Sequence, residues 1–264
     1  MEKPKPLKRF GQNFLTDVNI LTKIADEVNP RPEDKIIEIG PGTGALTAKL
    51  LERVPSITAI EVDSRVIEEL RESYAGLNLI EGDFLEIELD KLYPGHKLRI
   101  AGNIPYNLTA PIVFKLIENH EFISDAVLMV QLEVAQRMTA KKGTKDYGIF
   151  NVILKHFSDV KLAFKVSANV FYPRPRVQSA VVHIFFKSIP QDKAADSYFI
   201  NTVKAAFGNR RKTLKNSLSN SIFAGIDFSE SETDLSLRAE QLDPEDFIKL
   251  SKFIRSKLEP GYLK

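Results

Sequence analysis

Apolar positions along the chain follow two patterns, short continuous runs and a spacing of three or four residues. Short apolar runs, typical of buried strands, predict strands at 35–39, 56–62, 77–80, 97–101, 126–130, 160–166 and 180–186. Between them, apolar residues return every three or four positions, which predicts helices at 18–28, 45–53, 64–74, 110–119 and 132–140. The apolar stretch 149–157 has no period that assigns it to either type. The alternation of strands and helices predicts an α/β fold.

This alternation stops after residue 187. Residues 188–196 have the composition of a linker. Beyond them the apolar positions have helical spacing, which predicts helices at 198–207, 212–221, near 237 and at 244–258. We therefore predict two domains, an α/β domain over 1–187 and a small all-helical domain over 188–264.

The composition is that of an ordinary globular protein, with 264 residues, 43% hydrophobic and 27% charged. No apolar run approaches the roughly 20 residues of a membrane span, and the basic residues 1–9 have no apolar segment behind them, so neither a span nor a signal peptide is expected. The absence of cysteine excludes disulfides and thiolate chemistry and fits the cytoplasm. The four histidines lack metal-ligand spacing, so no metal site is expected.

Positive charge is segregated, although the net charge is only +2. No acidic residue lies between Asp196 and Asp227, whereas this stretch carries five Lys and Arg residues, including Arg210, Arg211 and Lys212. A second basic cluster spans 137–145, and the N-terminal arm is a third. Clustered cations are what a polyanion such as nucleic acid requires, although a charge run is also common on solvated faces.

A glycine-rich loop, Gly40-Pro41-Gly42-Thr43-Gly44, follows the first predicted strand of the α/β domain and precedes a helix. Such a loop lets a ligand approach the backbone and the free N–H groups of the helix. Glu61 follows about 20 residues later, at the spacing at which a carboxylate meets ribose hydroxyls. Asp83, after the third strand, is a candidate acceptor for an adenine amino group or a residue of an ordinary turn. An adenosine cofactor is therefore expected.

Asn103-Ile104-Pro105-Tyr106 follows the strand at 97–101. The Asn103 Oδ1 and the Ile104 carbonyl oxygen can accept the two hydrogens of an exocyclic amine, and Tyr106 offers a ring face. The alternative is a strand-to-helix turn. NAD is a competing cofactor, because Gly40, Gly42 and Ala45 satisfy a looser dinucleotide fingerprint. No residue set for hydride chemistry accompanies it, whereas S-adenosylmethionine accounts for both the glycine loop and the amine-binding loop.

A further segment, 169–176, joins two predicted strands and combines aromatic and basic residues, a pairing suited to single-stranded nucleic acid. It contains Phe171, Arg174 and Arg176. Phe171 is either a clamp for a base or a core residue.

The chain carries, in order, FGQNFL at 10–15, EIGPGTG at 38–44, EVD at 61–63, EGD at 81–83, GNIPYN at 102–107, VAQR at 134–137, YG at 147–148, FYPRP at 171–175 and FGNRRKTL at 207–214. This set resembles the KsgA-type ribosomal RNA adenine dimethyltransferases, nearly end to end. The resemblance implies a Rossmann-like class I methyltransferase fold with a seven-stranded sheet and a helical C-terminal domain that binds RNA. It implies transfer of two methyl groups from S-adenosylmethionine to N6 of each of two adjacent adenosines near the 3′ end of 16S rRNA.

The resemblance also implies roles for individual residues. The cofactor contacts would be Asn13, Leu15, Gly40, Glu61, Asp83 and Asn103. The catalytic residues would be Asn103, Tyr106 and Phe171. The rings of Tyr106 and Phe171 would clamp the base. The RNA contacts would be Arg174, Arg210, Arg211 and Lys212. The expected partner is the precursor of the 30S subunit, and no membrane is expected as a partner. The protein would act as a monomer. Two alternatives stay open, an Erm-type methyltransferase of 23S rRNA and a mainly non-catalytic ribosome-assembly factor.

Overall fold

The computed structural model of the protein describes residues 12–190, 192–209 and 211–258. The strands are β1 Phe14–Leu15, β2 Lys35–Ile39, β3 Ile57–Glu61, β4 Leu77–Glu81, β5 Leu98–Asn103, β6 Ile123–Gln131, β7 Ser158–Val166, β8 Phe171–Tyr172 and β9 Ser179–Phe186. The helices are α1 Val18–Val28, α2 Ala45–Leu51, α3 Ser64–Ser73, α4 Leu89–Leu92, α5 Thr109–Glu118, α6 Leu132–Met138, α7 Ile149–Phe157, α8 Lys193–Phe207, α9 Leu214–Ser219 and α10 Pro244–Lys257.

Seven strands form one mixed sheet in the order β4-β3-β2-β5-β6-β9-β7, which confirms the α/β methyltransferase fold expected from the sequence. The pairs β2–β3, β3–β4, β2–β5 and β5–β6 are parallel, whereas β6–β9 is antiparallel. The chain runs outward from β2 to β3 and β4 and then returns to β5 on the other side of β2. The carboxyl ends of β2 and β5 therefore flank a topological switch point, where ligands bind in open α/β sheets.

The strands of this sheet are apolar on both faces because helices cover both faces. Ile36 and Ile37, consecutive residues of β2, are both buried, as are Val127 and Leu128 of β6. On one side β2 packs with α1, whose Asp17 caps the helix by accepting a hydrogen bond from the Ile20 N–H over 3.1 Å. This rigid sheet fixes the positions of the loops that follow its strands.

The chain divides into two compact units. Among the described residues, the first comprises 12–135 and 159–188, and the second comprises 136–158 together with the residues from 189 onward. The predicted boundary at 187 lies next to the observed one at 188, but 136–158 groups with the C-terminal residues rather than with the predicted 1–187 domain. The reason is that α7 packs against α8 and α10, for example through the rings of Phe157 and Phe199, whose centroids lie 6.2 Å apart.

The structure assigns one element that the sequence left open and extends another. The apolar stretch that periodicity could not assign is the helix α7. Helix α8 begins at Lys193, inside the predicted linker, because the Asp192 side chain caps it by accepting a hydrogen bond from the Ala195 N–H over 3.0 Å. In the described parts of the chain, no helix has the length and apolar character needed to cross a membrane.

Candidate active site

A cleft opens at the carboxyl ends of β2, β3 and β5. Its walls come from the N-terminal segment 12–15, from the glycine loop and its flanks at 38–46, and from 60–62, 82–85 and 103–108. It is lined by all six residues expected to hold the cofactor and by Tyr106: Asn13, Leu15, Gly40, Glu61, Asp83, Asn103 and Tyr106. Residues spread over more than ninety positions of the sequence thus converge because parallel strands end at one edge of the sheet.

All three glycines of the loop have a positive φ, Gly40 at +63°, and at two of them a Cβ would also meet a neighbouring ring. Gly42 has φ +56°, and a Cβ on it would lie 3.0 Å from the Phe14 ring. Gly44 has φ +76°, and a Cβ there would overlap the ring of Tyr74. Both angles lie in the left-handed region that side chains disfavour. The loop can therefore bring its backbone close to a ligand only with this sequence.

Glu61 ends β3 and is 4% exposed. Its Oε2 accepts a hydrogen bond from the Gly42 N–H over 3.0 Å, and its Oε1 accepts from the N–H groups of Val62 and Asp63, each over 2.9 Å. Burial raises the pKa of this carboxyl group, while the three backbone donors oppose that rise. The carboxylate is held rigidly beside the glycine loop, and a carboxylate there suits the hydroxyl groups of a ribose.

Asp83 follows β4 and is exposed. Its Oδ1 accepts a hydrogen bond from the Leu85 N–H over 2.9 Å, so it caps the short turn 84–86. Asp83 also lines the cleft next to the buried Phe84 ring. Asp83 therefore both caps a turn and lines the cleft. An acidic group beside an apolar wall, together with the glycine loop and Glu61, fits the adenosine part of S-adenosylmethionine.

Asn103 is the last residue of β5. Its Nδ2 donates a hydrogen bond to the Asn13 carbonyl oxygen over 2.9 Å, whereas its Oδ1 has no hydrogen-bond partner among the residues that the structure describes. Ile104 is 1% exposed and lines the same cleft. The Tyr106 hydroxyl lies 2.7 Å from the Ser179 Oγ, and burial raises the pKa of Tyr106. Asn103, Ile104 and Tyr106 therefore line one cleft, and they are the residues from which an amide oxygen, a backbone carbonyl group and an aromatic ring would serve an exocyclic amine.

The N-terminal segment is fastened across the cleft by residues that the sequence did not single out. The Gln12 Nε2 donates to Asp63 Oδ2 over 2.9 Å, and Arg65, whose hydrogen bonds lower the pKa of Asp63, holds the same carboxylate. Strand β1 pairs with β8, and the paired residues Leu15 and Phe171 are 156 positions apart in the sequence. The only sequence signal for this arrangement is the FGQNFL stretch of the family resemblance.

Glu38 is a second residue of the cleft that the sequence did not indicate. It is 1% exposed and its Oε2 accepts a hydrogen bond from the Thr47 Oγ1 over 2.6 Å. Burial raises its pKa to about 7, with a smaller contribution from the negative charge of Glu61. The available signal was an acidic residue one position before the end of a buried strand that leads into a glycine loop. No group of three metal-ligating side chains occurs within the described ranges.

Phe171 lies in the hydrophobic core. It is 5% exposed and pairs with Leu15, and it is not among the described residues that line the cleft. This placement agrees with the alternative that the sequence left open, and a role as base clamp stays a prediction. The next residue, Tyr172, is 66% exposed.

The cations expected to contact RNA are on the surface where they are described. Arg174 is exposed in the first unit, and Arg211 and Lys212 are exposed in the second unit, immediately before α9. Arg210 lies outside the described residues. The Lys212 N–H donates a hydrogen bond to the Asn209 carbonyl oxygen over 2.9 Å, which fixes the backbone of this turn.

The chain matches known proteins over nearly its whole length. The family model "Ribosomal RNA adenine dimethylase" matches residues 5–256. "Ribosomal RNA small subunit methyltransferase A" of Chlorobium phaeobacteroides (strain BS1) is 47% identical over 94% of this chain and 93% of its own length. The protein of the same name from Chlorobaculum parvum is 48% identical over 92% and 87%.

Two solved structures share the fold. A dimethyladenosine transferase from Plasmodium falciparum superposes with a TM-score of 0.78 and 29% identity over 92% of this chain and 98% of that one. The 23S rRNA methyltransferase ErmE superposes with a TM-score of 0.67 and 26% identity over 92% and 100%. The match to the family model, the identity to these relatives and the geometry of the cleft agree, and the chain belongs to the ribosomal RNA adenine dimethylase family.

Proposed function

We propose that this protein transfers methyl groups from S-adenosylmethionine to N6 of two adjacent adenosines near the 3′ end of small-subunit rRNA, and forms dimethyladenosine at each. The observation that carries the proposal is the amide of Asn103. Its nitrogen is occupied by the Asn13 carbonyl oxygen, so its oxygen is the atom presented to the cleft that also holds the glycine loop and Glu61. The relatives named small-subunit methyltransferase A favour this substrate over other RNAs.

The chemistry requires positioning rather than a strong base. The lone pair of the adenine N6 is delocalised into the ring, which makes it a poor nucleophile. Asn103 Oδ1 and the Ile104 carbonyl oxygen, accepting the two N–H bonds, would hold N6 pyramidal, while Tyr106 supports the ring. When bound, S-adenosylmethionine supplies an electrophilic methyl group. Orientation of this kind contributes up to roughly 7–11 kcal/mol to lowering a barrier.

The cofactor would be held by chain segments that surround the cleft. Glu61 would accept hydrogen bonds from the ribose hydroxyls, and Asp83 would accept one from the adenine amino group. Asn13, Leu15 and Gly40 would contact the cofactor through the N-terminal segment and the glycine loop. The left-handed backbone at Gly40 and Gly42, which both line the cleft, supports this assignment, because glycine adopts it readily and leaves no side chain between the backbone and a ligand.

The substrate base must leave its helix to reach such a cleft, so the target adenosines would be unpaired or flipped out. Arg174, Arg210, Arg211 and Lys212 would neutralise RNA phosphates. We propose that the protein acts as a monomer in the cytoplasm on the precursor of the 30S subunit.

The test is mass spectrometry of adenosines in purified small-subunit particles that lack the modification, after incubation with the protein and S-adenosylmethionine. We expect dimethyladenosine at two adjacent positions, formed at least about 100-fold more slowly by the Asn103→Ala variant. Methylation confined to naked large-subunit RNA would favour the Erm-type reaction instead. Tight binding of particles without any methyl transfer would favour the assembly-factor alternative.

A further inference from the structure

An exposed tyrosine stands beside the cleft. In the two-stranded ribbon, Phe14 of β1 is directly opposite Tyr172 of β8, and Leu15 is opposite Phe171. Side chains of opposite residues in an antiparallel pair lie on the same face of the ribbon, and successive residues alternate between faces. Leu15 and Phe171 face the core. Phe14 and Tyr172 therefore share the other face. Phe14 and Leu15 both line the cleft, Phe14 against Gly42, so the ribbon that carries Tyr172 borders the cleft.

The segment that follows Tyr172 is tied to the cleft at both ends. Just before it, the Val170 carbonyl oxygen accepts hydrogen bonds from the N–H and the Oγ1 of Thr16, over 2.9 and 3.0 Å. At its other end, the Ser179 Oγ lies 2.7 Å from the hydroxyl of Tyr106, which belongs to the amine-binding loop. Residues 172–178 thus connect the N-terminal wall of the cleft with the loop that carries Asn103.

This connecting segment presents an aromatic ring and cations to solvent. Tyr172 is 66% exposed, and among the phenylalanine and tyrosine rings that the structure describes only Phe185, at 43%, is also exposed. Arg174 and Arg176 are exposed, and neither forms an ion pair with any residue that the structure describes. An exposed ring followed by unneutralised guanidinium groups is the combination by which proteins bind unpaired nucleotides.

We propose that Tyr172 stacks on the base adjacent to the target adenosine, with Arg174 and Arg176 on the flanking phosphates. This inference rests on the proposed function, since it requires an RNA substrate. When the target base leaves its stack, the neighbouring base exposes one face to water. Tyr172 covers that face and holds the strand in register with Asn103. Tyr172 is therefore a substrate-binding residue that lies outside the reacting centre.

The experiment measures binding of a short single-stranded RNA containing two adjacent adenosines, in the presence of S-adenosylhomocysteine so that no methyl is transferred. Tyr172→Ala should weaken binding about 5- to 100-fold, the range for one lost base–aromatic contact. Tyr172→Phe, which keeps the ring, should bind within about twofold of the unmodified protein. Phe185→Ala is the matched control, because Phe185 is 43% exposed but lies at the opposite end of β9 from Ser179.

Abasic RNAs identify the contact. If Tyr172 stacks on a neighbouring base, removal of that base on the 5′ or the 3′ side of the adenosine pair should abolish the difference between Tyr172→Ala and the unmodified protein. Equal losses on intact and on both abasic RNAs would overturn the proposal, as would unchanged binding by Tyr172→Ala or binding by Tyr172→Phe as weak as that of the alanine variant.

Together with the methylation assay on small-subunit particles, this binding experiment separates the stacking contact from the proposed function. If the unmodified protein dimethylates small-subunit particles while the Tyr172 variants bind RNA normally, only the stacking contact is refuted. If the unmodified protein neither binds nor methylates RNA, both proposals fail. Cofactor affinity should be the same in all four proteins, which confirms that the cleft is intact.

Discussion

The Asn103 side-chain nitrogen donates a hydrogen bond to the backbone carbonyl oxygen of Asn13 over 2.9 Å, across a separation of 90 residues. The opposite orientation of the amide would place two oxygen acceptors against each other. The Asn13 carbonyl group therefore decides that Asn103 offers its oxygen to the cleft. The N-terminal segment is a positioning element for the residue that binds the amine.

Asn103 variants test this relationship. Asn103→Ala should retain cofactor binding and lose at least about 100-fold in methyl transfer, the scale for one positioned polar group. Asn103→Asp keeps the shape but has no hydrogen to donate to Asn13, and it places a negative charge against that carbonyl group. We expect a loss of similar size for Asp, measured by single-turnover methyl transfer at saturating RNA. Near-normal transfer by either variant would refute the role of Asn103.

Glu38 makes the cofactor-free protein sensitive to pH. The pKa of Glu38 is about 7 in the folded protein and 4.5 for a free glutamate side chain, the value taken for the unfolded chain. Between these pH values the folded protein therefore binds more protons than the unfolded chain. The stabilising contribution of the protonated group is then complete below about pH 4.5 and is lost as the pH rises through 7. Between pH 5 and 8, the unmodified protein should lose roughly 2–3 kcal/mol of unfolding free energy relative to Glu38→Gln. Urea denaturation at both pH values measures this, and parallel pH profiles would contradict it.

Substitutions at Phe171 separate packing from base clamping. Because the ring is buried in the core, Phe171→Ala should lower the free energy of unfolding by about 3–5 kcal/mol. Phe171→Leu preserves much of the apolar volume but removes the aromatic face. If Phe171 clamps the base, the leucine variant should fold and bind cofactor yet transfer methyl groups at least about fivefold more slowly, the minimum for a lost stacking contact. Unchanged transfer by the leucine variant would leave Phe171 with a packing role only.

The basic loop before α9 is expected to bind phosphate groups. Reversing the charges of Arg211 and Lys212 to Glu should weaken RNA binding and reduce the slope of log affinity against log salt by about 0.7 or more for each lost phosphate contact. The control reverses two exposed cations elsewhere, Arg71 and Lys91, and makes the same change in net charge. A salt slope as steep as that of the unmodified protein would show that the loop lies away from RNA.

Much of the fold could be predicted because its signals are local. The strand, the glycine loop, the helix and the acid at Glu61 follow within some 25 residues, and each depends on backbone preferences or on the burial of neighbouring apolar residues. The cap of α1 by Asp17 is a local interaction of the same kind. The helical type of α7 was not predicted, because its buried residues include the consecutive run 151–154, and a short continuous buried run is also typical of a strand.

The sequence by itself determined the sheet, the glycine loop and the chemistry available at Asn103, since these depend on residue types and short spacings. Only the tertiary structure decided which atom of the Asn103 amide faces the cleft, that Phe171 is buried while Tyr172 is exposed, and that 136–158 groups with the C-terminal residues. These outcomes depend on hydrogen bonds and packing between residues far apart in the chain. No local preference encodes such contacts, because they form only when the strands have brought their ends together.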